Sequence, residues 1–261
     1  MSAGQVVVVH RDAELLAAAA AARLVTRLVD VQAARGYAHV VLTGGGLGTA
    51  TLAALASAPA RDAIDWAALD VWWGDERFLP QGHPDRNATQ ARQALLDDVP
   101  LDPKRVHEMP PAGAAHGDDV DAAAHAYADE LAAAARPEDH ADVPTFDVLL
   151  LGVGPDGHIA SLFPDHPALH ESERTAIGVR GSPKPPPIRI SLTLPAINQA
   201  TEVWLLAAGR EKAPAVGLAL SGAGQLAVPA AGAMGRSRTL WLLDRAAAHE
   251  LDPGLVRPSS P

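Results

Sequence analysis

The 261-residue chain has no cysteine, which excludes disulfides and cysteine-ligated zinc. It has no apolar run of the ~20 residues that a membrane-spanning helix needs. The opening stretch MSAGQVVVVHRDAELL lacks the basic segment and the long apolar core of a secretory leader. Basic side chains are the minority: 21 Lys and Arg against 31 Asp and Glu leave a net charge of −10 at pH 7. That balance is wrong for a surface that grips a phosphate backbone. These absences predict a cytoplasmic protein with neither a nucleic-acid nor a membrane partner. A small anionic ligand stays open, because it needs only a few local cations.

What is present is a large apolar share, 48% of residues, enough for a sizeable core. Alanine-rich stretches alternate with short β-branched runs, the pattern of an α/β fold with a mostly parallel sheet. Strands are predicted over 5–9, 39–42, 69–73, 146–151, 189–192, 203–207 and 239–243, and helices over 12–35, 49–57, 118–135 and 211–220. Asp12 reads as an N-cap and Gly36 as a helix stop. Loops are expected over 43–48 and 74–84. The 22 glycines and 22 prolines are scattered, with no linker and no repeat. One domain over 1–251 is expected, followed by a Pro- and Ser-rich tail, 252–261, that should fray.

Three clusters fall just after predicted strands, where an open parallel sheet forms its binding crevice. The first is Thr43-Gly44-Gly45-Gly46-Leu47-Gly48-Thr49. Its glycines let backbone N–H groups approach an anion at a helix start, although a tight turn with positive φ values would also use them. No Lys-Ser/Thr pair follows, so it is not a P-loop. The second is Gly74-Asp75-Glu76-Arg77. Arg77 offers a planar donor fork to an oxyanion or phosphate, and Asp75 can orient a partner or accept a proton; a surface ion pair is the plain alternative.

The third, Gly152-Val153-Gly154-Pro155-Asp156-Gly157-His158, matches the dinucleotide fingerprint by letters only. Pro155 and Pro164 do not allow the long helix that the fingerprint requires. A glycine-shaped turn presenting Asp156 and His158 is the better reading, since imidazole titrates near neutrality and can take a proton from water. A purely structural histidine is the alternative. His166 and His170 stand close in sequence, but Pro167 breaks any helix that would align them for zinc. No G-x-S-x-G elbow occurs. Further cations are Lys184, in the stiff Ser182-Pro183-Lys184-Pro185-Pro186-Pro187 segment, then Arg189 and Lys212. The proline run could also dock a partner.

The chain resembles the 6-phosphogluconolactonase family. The matching stretches are LTGGG, WGDERF, LLGVGPDGHIASLFP, SPKPPPIRISLTLPAIN and AAGREKAPAV, in the family's order and spanning nearly the whole chain. The resemblance implies a Rossmann-like fold shared with glucosamine-6-phosphate deaminase and ribose-5-phosphate isomerase. It implies hydrolysis of 6-phospho-D-glucono-1,5-lactone, the second step of the oxidative pentose phosphate pathway, without metal or other cofactor. His158 would then be general base, oriented by Asp156 or Asp75, with Arg77 on the oxyanion. Gly44, Gly45, Gly46, Lys184, Arg189 and Lys212 would bind substrate and phosphate. A monomer or small homo-oligomer is expected. The deaminases carry a Glu five residues after the motif histidine, where this chain has Phe163, and an aromatic at the position of Arg77. Another sugar-phosphate enzyme of the fold, or a non-catalytic sugar-phosphate sensor, is the alternative function. Leu47 departs from the hydroxyl residue common in the family, which leaves backbone contacts there.

Overall fold

The computed structural model describes residues 5–252, 254 and 257–258. Its apolar runs form strands and its alanine-rich stretches form the helices that cover them. In chain order the elements are β1 (Gln5–His10), α1 (Ala13–Arg35), β2 (Ala38–Leu42), α2 (Gly45–Ser57), β3 (Leu69–Trp73), β4 (Asp75–Arg77), α3 (Asn87–Ala94), α4 (Val120–Ala134), β5 (Val148–Gly152), β6 (Ala176–Val179), β7 (Arg189–Leu192), α5 (Leu194–Ile197), β8 (Glu202–Ala207), α6 (Ala213–Leu220), β9 (Arg238–Asp244) and β10 (Arg257–Pro258).

Seven strands pair in the order β10-β1-β9-β8-β5-β2-β3, and every pairing in this sheet is parallel. A strand's side chains alternate between faces, and both faces here are apolar, as a helix-covered parallel sheet requires. Val8, Val40, Leu150, Trp204 and Leu242 pack under α1, α2 and α3 on one side. Val7, Val41, Leu149, Leu205 and Trp241 pack against α4, α6 and a second sheet on the other. Asp12 caps α1 as expected, its carboxylate accepting from Leu15 N–H at 2.9 Å, and Gly36 ends the helix at φ 84°. This is the Rossmann-like α/β architecture that the sequence predicts.

Three local expectations are corrected. Residues 43–48 are not all loop: α2 begins at Gly45 with Gly44 as N-cap, so the glycines form the helix's first turn. Residues 74–84 are not all loop either, because Asp75–Arg77 is a strand that pairs antiparallel with β7, and β7 with β6. The helix expected over 211–220 starts with a tight 3-10 turn, Arg210–Lys212, and becomes α-helical at Ala213. Of the tail, Arg257–Pro258 lies parallel to β1; apart from Asp252 and Gly254, the rest of that segment is outside the described residues.

Candidate active site

The carboxyl ends of β2, β3, β5 and β8 open into one cavity of about 1010 Å³. Gly44, Gly45, Gly46, Asp75, Arg77, His158, Lys184, Arg189 and Lys212 all line it. Asp156, the remaining residue singled out by sequence, is bonded to His158. Four separate loops thus converge because the parallel strands all point the same way.

The loop after β5 builds an acid–base pair. His158 Nδ1 lies 2.5 Å from Asp156 Oδ1, a contact that requires the shared proton to sit between them. The ring leans on the buried Phe163, centroids 4.6 Å apart. Gly154 is needed beneath it: a Cβ there would fall 2.0 Å from His158 Nδ1 and 2.5 Å from Asp156 Oδ1. Burial pushes the Asp156 carboxyl up, but the His158 hydrogen bond, with the charges of His158 and Lys184, holds it below the ordinary carboxylate range. Lys184 Nζ is 3.2 Å from His158 Nδ1 and 3.6 Å from Asp156 Oδ1. Lys184, expected among the phosphate contacts, therefore sits against the acid–base pair.

Asp75 does something else. Its carboxylate accepts from Ser161 Oγ at 2.7 Å and from Asn87 Nδ2 at 3.2 Å. Between Asp156 and Asp75, then, only Asp156 touches the imidazole. Arg77 donates through Nη1 to the Asp85 carbonyl at 2.6 Å, and its Nε is buried with no protein partner. It stands opposite Arg189 in the β4–β7 register. Like charges directly opposite are unfavourable, so the pair suits a bound anion. Arg189 is buried and donates from Nε to the Pro186 carbonyl at 3.1 Å, and from Nη2 to the carbonyls of Lys184 at 3.1 Å and Pro185 at 3.2 Å. Its Nη1 lies 3.8 Å from Asp75 Oδ2. Burial, with Arg77's charge, draws Arg189 below the usual guanidinium range, against the pull of Asp75.

The first turn of α2 supplies the anion end. Gly44 sits so close to Asn87 that a Cβ would lie 1.8 Å from Asn87 Oδ1. Gly45 has φ 79°, and the N–H groups of this turn have no earlier helical carbonyl to bond. Leu47 packs its side chain against the core on the α2 side of the sheet. Lys212 enters from the turn before α6; burial and the neighbouring Lys184 lower its pKa, partly opposed by Glu211 and Asp156. His166 bonds through both ring nitrogens to backbone, Nε2 at 2.9 Å from the Arg180 carbonyl and Nδ1 at 3.1 Å from Ala168 N–H. Among the described residues no group of three or more His, Asp or Glu side chains is placed to hold a metal ion. Nor is any described helix long and apolar enough to cross a membrane.

A proton acceptor, an anion turn and several cations around one cavity suit attack by water on an anionic ester. Comparison with known proteins agrees in kind. Residues 11–241 match the family model described as glucosamine-6-phosphate isomerases/6-phosphogluconolactonase. The chain belongs to this family. It is 70% identical over 253 residues, 97% of each chain, to a 6-phosphogluconolactonase of Streptomyces coelicolor. It is 53% identical over 240 residues to that of Mycobacterium tuberculosis, covering 92% of this chain and 96% of the relative. The solved 6-phosphogluconolactonase of Trypanosoma brucei superposes with a TM-score of 0.82 at 29% identity, covering 96% of this chain and 100% of the other. A monomeric glucosamine-6-phosphate deaminase shares the fold, with a TM-score of 0.76 at 20% identity over 94% of this chain and 100% of the other.

Within this glucosamine-6-phosphate isomerase/6-phosphogluconolactonase site, reading the sequence missed Asn87, Ser161 and Glu76. Glu76 is buried and accepts the backbone N–H groups of Arg77 (2.8 Å), Asn87 (2.7 Å) and Ala88 (2.9 Å), so it caps α3 and aims Asn87 at Asp75. Burial pushes the Glu76 carboxyl up to about 7, against Arg86 and these amides. The only signal in the sequence was the polar pair itself, Asp75-Glu76, on the end of an apolar strand.

Proposed function

We propose that the chain hydrolyses 6-phospho-D-glucono-1,5-lactone to 6-phosphogluconate, as the second step of the oxidative pentose phosphate pathway, with His158 as general base. The observation that carries this reading is the His158–Asp156 pair set in a cavity lined by Lys184, Lys212, Arg77 and Arg189. The high identity to proteins named for this activity supports the choice of substrate.

With the Nδ1 proton donated to Asp156, Nε2 is the free nitrogen. It takes a proton from water as the water oxygen bonds to the lactone carbonyl carbon. Arg77, which lines the cavity, receives the resulting oxyanion. Collapse breaks the bond to the ring oxygen, which takes the proton back from His158 and leaves as the sugar's own hydroxyl. The carboxylic acid product then ionises, so each turnover releases one proton to solvent. The α2 amides, Lys212 and the Nη1 group of Arg189 hold the phosphate. Phe163, buried against His158, offers no carboxylate where a deaminase would carry its Glu.

Proton release from freshly made phospholactone, measured above the spontaneous rate, tests the activity. Ammonia release from glucosamine 6-phosphate tests the rival. His158→Ala should lower lactone turnover by ~10²-fold or more, with an unchanged circular dichroism spectrum. Near-normal turnover in that variant would make His158 structural and end the mechanism.

A further inference from the structure

The proline-rich strap that carries Lys184 is fixed along its backbone. Ser182 Oγ donates to the Lys184 carbonyl at 2.8 Å, and Ser182 N–H to the Pro187 carbonyl at 3.1 Å. Arg189 bonds the carbonyls of Lys184, Pro185 and Pro186. A buried guanidinium therefore frames the strap, and the framed strap delivers one ammonium to the acid–base pair. We propose that Lys184 is a positioning residue for the reaction: its ammonium opposes a second proton on His158 and so holds the imidazole in its proton-accepting form. This deepens the general-base reading and rests on it.

Two opposed charges act on the His158 ring. Asp156 at 2.5 Å from Nδ1 fixes the tautomer, but a carboxylate that close also favours the imidazolium ion, which is useless as a base. Lys184, within 3.2 Å of Nδ1 and 3.6 Å of the carboxylate, disfavours a second positive charge on the ring while it helps to keep Asp156 ionised. The orienting bond is kept while its electrostatic cost to basicity is offset. The other charged groups around His158 are Lys212 on the turn before α6, and Arg77, Arg189 and Asp75 across the cavity. Asp75 is already held by Ser161 and Asn87 and stands beside Arg189, so it adds little to the pull of Asp156 in this balance. Lys212 adds to the same effect from farther along the cavity.

Removing the ammonium takes away the nearest charge that opposes Asp156, so the pKa of His158 should rise. The test is the pH dependence of kcat/KM for the phospholactone, corrected for spontaneous hydrolysis, in the wild type, Lys184→Met and Lys184→Arg. The acid limb should move to higher pH by about one unit in Lys184→Met, a tenfold change in the fraction of neutral imidazole. The alkaline plateau of kcat should change far less, and Lys184→Arg should restore the limb. Following the His158 ring by NMR in the same variants gives the same shift without substrate. An unmoved His158 titration with a raised KM would overturn the proposal and return Lys184 to the substrate contacts. An acid limb that persists in His158→Ala would instead overturn the general-base reading, and this proposal with it.

Discussion

Asn87 donates its Nδ2–H group to the Asp75 backbone carbonyl at 2.8 Å and to the Asp75 carboxylate at 3.2 Å, and both residues are buried. The bond ties the start of α3 to β4 beside the glycine turn, where Asn87 Oδ1 lies against Gly44. One carboxamide thereby sets the spacing of two loops that line the cavity. Replacing it with Ala leaves a buried carboxylate short of a donor, which costs about 1–3 kcal/mol. Asn87→Ala should lose stability by that amount in urea denaturation. It should also lose kcat, because Asp75 and the α2 turn are freed to move.

Gly154 tests the geometry of the acid–base pair without touching its chemistry. No other side chain fits, since a Cβ would overlap His158 Nδ1 and Asp156 Oδ1. Gly154→Ala should therefore displace the imidazole and lower kcat by about the same ~10²-fold expected for loss of general-base help. The melting temperature should fall only modestly, because the loop lies beyond the carboxyl end of β5, outside the sheet's hydrogen-bonded ladder. Full activity in this variant would mean that the His158–Asp156 contact is dispensable.

Far from the cavity, at the amino end of the sheet, His39 gives the fold a pH dependence. Burial, helped by Arg35 and His107, lowers its pKa to about 4 against the pull of Asp70. Its Nδ1 accepts from Trp72 Nε1 at 3.2 Å, which an imidazole can do only when that nitrogen is unprotonated. The unfolded chain takes up this proton near imidazole's ordinary value of 6.5 and the folded chain only near 4. The stabilising contribution is therefore complete above about pH 6.5 and declines as the pH falls towards 4. Unfolding free energies measured across that window should slope upward with pH, and His39→Asn should flatten the slope.

The central sheet was legible because buried parallel strands are continuous apolar runs, such as Val148–Gly152 and Glu202–Ala207. The clusters that make the site were legible for a related reason: glycines and charged residues are conspicuous directly after such runs. Of the second sheet only Arg189–Leu192 was legible as a strand. Asp75–Arg77 has no apolar residue to mark it as a strand, and its pairing with Arg189–Leu192 joins segments more than a hundred residues apart. Helix α3, NATQARQA, is equally hidden, because its start is capped by the distant-looking Glu76 and not by a residue of its own N-cap position. Choosing between Asp75 and Asp156 as the partner of His158 needed coordinates, since both follow a strand and both are adjacent to glycine or its neighbours.

The phosphate end of the site is tested by its cation. Lys212 is half-buried on the cavity wall, and burial together with Lys184 already lowers its pKa, so it gains from a bound anion. A charge-assisted hydrogen bond is worth roughly 1.5–3 kcal/mol. Lys212→Ala should accordingly raise KM for the phospholactone by about ten- to a hundredfold. Turnover at saturation should fall less, because the contact is remote from the carbonyl carbon. Unphosphorylated gluconolactone is the control: it should be a poor substrate for the wild type and indifferent to the substitution. The two substrates thus separate a ligand contact from a structural one. Equal losses on both would assign Lys212 to the support of the fold and move the phosphate to another part of the cavity.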